Sequence, residues 1–256
     1  MNFDANSFEI QRWNSAAYVE SWITNHEQEG GRKTLRRKLV DTLPFESVDS
    51  IRVLDVGVGG GALSQEILTH FPNAQIVCQD FSEIMLGHAR QHLAKFANQV
   101  IFVQSDLSTP GWIKSISGTF DAVATSLVMH TVPGCVRDIY QEIFNIVKTN
   151  GCFTIGDNIF TPGPTMRKVY MKMRLDNLRK ALNGEKGIEA NPEEIERRMQ
   201  IRQHRRSGED QERVRNPLRT NLTLESQLEW LKAVGFNEVD CPWKEMQRAV
   251  IVGIKH

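Results

Sequence analysis

Residues 51–68, Ile-Arg-Val-Leu-Asp-Val-Gly-Val-Gly-Gly-Gly-Ala-Leu-Ser-Gln-Glu-Ile-Leu, constrain the fold more than any other stretch of this chain. The first part is apolar and β-branched, as a buried parallel strand requires. Gly57, Gly59, Gly60 and Gly61 follow. From Ala62 the apolar positions recur at helical spacing. A strand, a glycine turn and a helix in succession open a nucleotide-binding α/β fold. The glycines reach backbone conformations closed to other residues and let a ligand lie against the main chain. The free amides and positive dipole end of the following helix add polar attraction.

The same pattern continues. Gln75–Asp80 reads as a second strand, with Ser82 as the cap of the helix after it. Val100–Leu107 reads as a third strand and Phe120–Leu127 as a fourth. Val136–Lys148 reads as an amphipathic helix, with Gly151 at its C-terminal cap. Cys152–Asp157 is the fifth strand. The alternation predicts a doubly wound parallel sheet with helices on both faces. A helix from Thr223 that closes at Gly235 is followed by strands Asn237–Trp243 and Arg248–Ile254. These form an antiparallel hairpin that completes a seven-stranded sheet, with strand seven antiparallel. Ahead of this core, residues 1–45 read as a helical cover. Gly30-Gly31 breaks that cover before a basic helix over Thr34–Leu43. Thr161-Pro162-Gly163-Pro164 opens a helical insertion over 161–220, with helices at Met166–Leu182 and Pro192–Arg206, the second capped by Asn191. One domain of 256 residues accommodates all of this: cover, core (46–160), insertion, and closing helix and hairpin (221–256).

Thirty-one basic residues balance thirty-one acidic ones, so no overall field favours nucleic acid or a membrane. Four scattered cysteines without a Cys-x-x-Cys pair argue against a disulfide framework or zinc site. The polar N-terminus is unlike a signal peptide, and no apolar run approaches the ~20 residues of a membrane span, so a cytoplasmic location is expected. Within 161–220, basic residues outnumber acidic ones by six. Arg197, Arg198, Arg202, Arg205 and Arg206 either form a solvated face balanced by Glu193, Glu194 and Glu196, or present positive charge to an anionic substrate. Trp13, Tyr18 and Trp22 either pack the cover onto the core or help enclose the pocket.

Gly57, Gly59 and Ala62 satisfy the dinucleotide pattern Gly-x-Gly-x-x-Ala, so a nicotinamide cofactor has to be weighed. The chain has no second mononucleotide-binding half of the usual length. It also has no Tyr-x-x-x-Lys pair: Tyr18, Tyr140 and Tyr170 are followed four residues on by Trp22, Phe144 and Arg174. Read from Asp55, the same loop is Asp-x-Gly-x-Gly-x-Gly through Gly57, Gly59 and Gly61. It then resembles motif I of the class I, Rossmann-like S-adenosylmethionine-dependent methyltransferases. Asp80 is similar to the acid that holds the ribose, about 20 residues past the turn. Asp80-Phe81-Ser82-Glu83-Ile84-Met85-Leu86 resembles a run common in their small-molecule branch. Asp106-Leu107 resembles the adenine contact, Phe120-Asp121-Ala122-Val123 resembles motif IV, and Lys148–Phe153 resembles the turn before strand five.

The resemblance implies S-adenosyl-L-methionine as cofactor and S-adenosyl-L-homocysteine as product. The cofactor would be held by Asp55, Gly57, Gly59, Gly61, Asp80, Phe81, Met85, Asp106, Leu107 and Ser126. It also implies in-line methyl transfer and is compatible with a homodimer; the sequence has no Asp/Asn cluster demanding a magnesium site, so metal independence is expected. His130 just past strand four is either the base or a structural hydrogen-bonding and packing residue, and Asp157 at the end of strand five, facing the same crevice, either binds substrate, caps the next segment or orients a base. Tyr18, Trp22 and Arg202 are the substrate-side candidates. The acceptor expected is a small molecule, anionic if the insertion's arginines meet it. RNA docked on the basic insertion and a non-catalytic cofactor-binding regulator are the competing readings. Zero net charge and the lack of a basic stripe interleaved with aromatics weigh against RNA.

Overall fold

A computed structural model describes residues 12–24, 30–132, 136–161, 163–186 and 222–256. Seven strands form one sheet in the order β3-β2-β1-β4-β5-β7-β6. They are β1 (Arg52–Val56), β2 (Gln75–Asp80), β3 (Val100–Gln104), β4 (Phe120–Ser126), β5 (Val147–Asn158), β6 (Glu238–Glu245) and β7 (Arg248–Ile254). The first five are parallel. β7 inserts antiparallel between β5 and β6. Because the chain winds outward from β1 in both directions, the switch point lies between β1 and β4. Ligands of open α/β sheets bind at the strand C-termini there.

The described helices are α1 (Ala16–Trp22), α2 (Gly30–Val40), α3 (Ala62–His70), α4 (Glu83–His92), α5 (Val136–Ile146), α6 (Pro164–Lys186) and α7 (Leu224–Val234). Strand alternation sorts the core. Val53, Ile76, Cys78, Ala122, Ala124, Cys152 and Val250 pack with Leu35 and Leu39 of α2, Leu63 and Ile67 of α3 and Leu86 of α4. On the other face, Tyr140 of α5 meets Phe153 of β5 edge-on at 5.3 Å, and Phe144 meets Phe236 at 5.1 Å. None of the described helices is long and apolar enough to cross a membrane.

Two compact units are distinguishable: Met1–Asn158 with Leu224–His256, and Ile159–Thr223. The second contains α6. Its two ends meet where the Phe160 amide donates to the Leu222 carbonyl at 2.7 Å, and Arg167 of α6 stacks over Phe160. The helix expected over Pro192–Arg206 and its cap Asn191 lie outside the described residues.

Four local expectations need correction. Gly30 and Gly31 do not break the leading segment but form the first turn of α2. There an α-helix needs no intrahelical partner for its amides, and the entropic cost of glycine is the main penalty. β3 stops at Gln104, three residues early, because the chain turns where Gln79 and Asp80 capture Ser105. α5 ends at Ile146, and β5 starts directly at Val147. The left-handed residue of that turn is Asn150 (φ 63°), not Gly151. Asparagine tolerates this conformation. Gly151 is needed for space, since a Cβ there would lie 2.7 Å from the Asp121 carbonyl oxygen.

Candidate active site

The candidate residues of the glycine loop, Asp80, Asp106, Ser126, His130 and Asp157 collect at the C-terminal edge of the parallel strands. β1 delivers Asp55 and the glycine loop. Gly57, Gly59 and Gly61 all have positive φ (70°, 54° and 91°), which explains glycine at each. They differ in surroundings. A Cβ on Gly57 would collide with Val128 beyond β4, whereas a Cβ on Gly59 would meet nothing within 4 Å. Gly59 therefore leaves open space beside bare backbone, as a loop that receives a ligand must.

Asp80 latches this loop. Its Oδ2 accepts from the Gly59 amide at 3.0 Å and its Oδ1 from the Ser82 amide at 2.9 Å. Burial pushes its carboxyl up to about 6 against the lowering effect of the amides of Ser82, Gly59 and Phe81. Ser82 caps α4 as expected, accepting from the Met85 amide at 3.3 Å. Its hydroxyl donates to the Trp13 carbonyl at 2.7 Å, which docks the leading segment beside Asp80. Trp13, Tyr18 and Trp22 form an edge-to-face cluster with centroids 5.2 and 5.3 Å apart. Arg12 stacks on Tyr18 and Arg32 on Trp22. Met85 is buried, while Phe81 and Leu107 are half-buried. Asp106, past β3, accepts from the Ser108 amide and hydroxyl through Oδ1.

Asp55 lies beneath the loop, 1 % exposed. Ser64 of α3 donates to its Oδ2 at 2.7 Å, while Oδ1 is buried without a hydrogen-bond partner. Burial pushes this carboxyl up to about 7, opposed by the Ser64 hydrogen bonds and assisted by the charge of Asp80. A buried, unpartnered acceptor next to an open backbone cradle suits a ligand with a cationic group.

β4 ends at half-buried Ser126, followed by Leu127 in a left-handed conformation (φ 62°) that is costly for leucine and found mainly at functional sites. The chain then turns to His130. His130 and Asp157, 27 residues apart, are brought together. The ring Nδ1 and Asp157 Oδ1 are 2.5 Å apart, and the His130 amide donates to Asp157 Oδ2 at 3.1 Å. Asp157 is 2 % exposed and the His130 side chain 23 %. Because the partner is a carboxylate, Nδ1 is the donor of this hydrogen bond and Nε2 faces away from Asp157. Behind Asp157, buried Tyr140 donates to Gln227 of α7 at 2.9 Å, and its own pKa is raised by burial first and by Asp157 second.

Of the substrate-side candidates, Arg202 lies outside the described residues. Motif residue Asp121 sits at the opposite end of β4, where it binds Lys148 and the Arg52 amide, a structural duty. Sequence reasoning missed Val128, Leu127 and above all Gln79. Its signal was available: a carboxamide at the buried end of an apolar run, one residue before the acid.

The description "methyltransferase domain" fits the family model matched by residues 53–151. A malonyl-[acyl-carrier protein] O-methyltransferase of Magnetococcus marinus is 31 % identical over 132 residues, covering 49 % of this chain and 45 % of that protein. A carboxy-S-adenosyl-L-methionine synthase of Nautilia profundicola is 22 % identical over 216 residues, covering 84 % and 82 %. The chain spans about half the length of the O-methyltransferases it matches. Among solved structures, human N-acetylserotonin methyltransferase in complex with SAM shares the fold. Its TM-score is 0.61 at 14 % identity, over 98 % of this chain and 59 % of that one. The matched segment runs from β1 into the start of β5 and so holds the latched glycine loop and Asp106. By that match residues 53–151 are similar to methyltransferase domains, and by its strand order the chain shares the Rossmann-like fold of the solved S-adenosylmethionine-dependent methyltransferases.

Proposed function

We propose that the chain transfers a methyl group from S-adenosylmethionine to a small molecule bearing a hydroxyl. The observation that carries the cofactor choice is the glycine loop, latched by Asp80, open above Gly59 and underlain by the unpartnered oxygen of Asp55. Gly57, Gly59, Gly61, Asp55, Asp80, Phe81, Met85, Asp106, Leu107 and Ser126 are the residues assigned to hold it. When bound, the cofactor supplies a methyl group already activated on sulfur for in-line displacement. The protein's part is then alignment and exclusion of water, which are worth up to ~7–11 kcal/mol.

His130 and Asp157 narrow the acceptor. Asp157 fixes the ring and its tautomer, and Nε2 accepts the acceptor's proton. A carboxylate arrives ionised and has no use for such a base, whereas a hydroxyl has.

A labelled-methyl assay over extracted metabolites and RNA tests this reading. Label is expected in a small molecule as an ether. His130→Gln is expected to lower turnover about 10²-fold or more, with S-adenosylhomocysteine affinity unchanged. Label confined to RNA would overturn the acceptor class. Undiminished turnover in His130→Gln would return the dyad to a structural role.

A further inference from the structure

Gln79 stands where the two cofactor loops meet. It is 1 % exposed, on the strand between β1 and β3, one residue before Asp80. Its Oε1 accepts from the Gly57 amide at 3.1 Å, and its Nε2 donates to the Ser105 carbonyl at 2.5 Å. Its main-chain oxygen accepts from the Val58 amide at 2.8 Å, and the Asp80 carbonyl accepts from the Ser105 amide at 3.1 Å. The end of β2 thus holds the glycine loop on one side and the chain leading to Asp106 on the other, once through backbone and once through one side chain.

Resting on the cofactor reading above, we propose that Gln79 is a positioning residue for the cofactor. Its carboxamide sets the spacing between the glycine loop and the Asp106 loop. The chemistry demands an amide. One end must accept from an N–H and the other must donate to a carbonyl, both in a buried place where an unmet group is costly. Leucine fills the volume and meets neither partner. An ionised glutamate satisfies Gly57 but sets a carboxylate oxygen against the Ser105 carbonyl. A protonated glutamate restores both bonds, because its O–H replaces the amide donor. Gln79→Glu therefore converts the bridge into one controlled by pH. The titratable groups around this edge are Asp55 below the loop, Cys78 and Asp80 on β2, Asp106 past β3, and His130 and Asp157 beyond β4 and β5. All are present in both proteins, so the ratio of variant to wild-type affinity isolates position 79.

The test is calorimetric titration of the full-length protein with S-adenosylhomocysteine between pH 5.5 and 8.5. Gln79→Leu is expected to bind about tenfold more weakly at every pH. Gln79→Glu is expected within about threefold of wild type at pH 5.5 and about tenfold weaker or more at pH 8.5. Wild-type affinity in Gln79→Leu would overturn the proposal, as would a Gln79→Glu ratio that stays flat with pH while thermal stability drops. If circular dichroism shows Gln79→Leu unfolded, Gln79→Glu decides alone. Absence of wild-type binding would remove the cofactor reading and this inference with it. Normal wild-type binding with a flat ratio removes only the role of Gln79.

Discussion

Asp80→Ala is expected to weaken S-adenosylhomocysteine binding roughly 10²-fold, about 3 kcal/mol. The carboxylate accepts from the amides of Gly59 and Ser82. Hydrogen bonds to an ionised acceptor are each worth about 1.5–3 kcal/mol. Alanine would leave both amides unmatched, free the glycine loop at its most open residue and remove the acceptor assigned to the ribose. Asp80→Asn should fare little better, since one oxygen becomes an N–H₂ facing an N–H donor. The fold should survive, because ionised Asp80 is itself costly to bury. Calorimetry with a circular dichroism control reads the outcome, and unchanged affinity would take Asp80 out of the site.

The second large effect concerns stability and pH. Asp55, raised to about 7 in the folded chain, holds its proton where an unfolded aspartate has lost it. Between about pH 4 and 7 the native state binds the extra proton, so stability falls as pH rises through that window and the full cost is present above it. The displacement from 3.8 to about 7 corresponds to about 4 kcal/mol against the ionised form. Asp80, raised to about 6, acts in the same direction up to that pH. Asp55→Asn removes the buried charge and keeps an acceptor for Ser64. At pH 8 its melting temperature should exceed that of wild type by several degrees, at about 2–4 °C per kcal/mol for a chain of this size. The advantage should shrink as pH falls through this window and vanish near pH 4, and S-adenosylmethionine should bind the variant more weakly. A variant less stable than wild type at pH 8 would refute the assignment. On the proposed cofactor reading, stability is given up here for an ionised acceptor that a cationic ligand can use.

Wherever one physical constraint acts on neighbouring residues, the sequence was readable. The apolar runs ending in Asp80 and Asp157 gave strands with acids at their exits, and Ser82 announced its own helix. The glycine spacing showed where the backbone must be bare, although only the structure separates Gly57, which makes room for Val128, from Gly59, which faces open space. Pairings distant in sequence were readable only as residues sharing a crevice, not as contacts. That His130 reaches Asp157 depends on β4 and β5 lying side by side and on Leu127 adopting a left-handed turn between them. Gln79 was passed over because a carboxamide carries no charge to attract notice, and its two partners are main-chain groups of residues 57 and 105. The arginines around Arg202 give charge without a pattern that fixes their surroundings, so the acceptor's side of the chemistry has no counterpart in local periodicity.

The bond from Phe160 to Leu222 joins the two ends of the segment between β5 and α7. Closing a loop costs only about 0.6 kcal/mol more for each doubling of its length, so a segment tied at its stem can lengthen, shorten or be exchanged at little expense to the sheet. The chain is in this respect modular. Asp80 and Gln79 tie the glycine loop to the neighbouring strand ends, so changes there are coupled, while the excursion after β5 can be rewritten piece by piece. New acceptors can be tried in such a lineage without rebuilding the machinery that donates the methyl group.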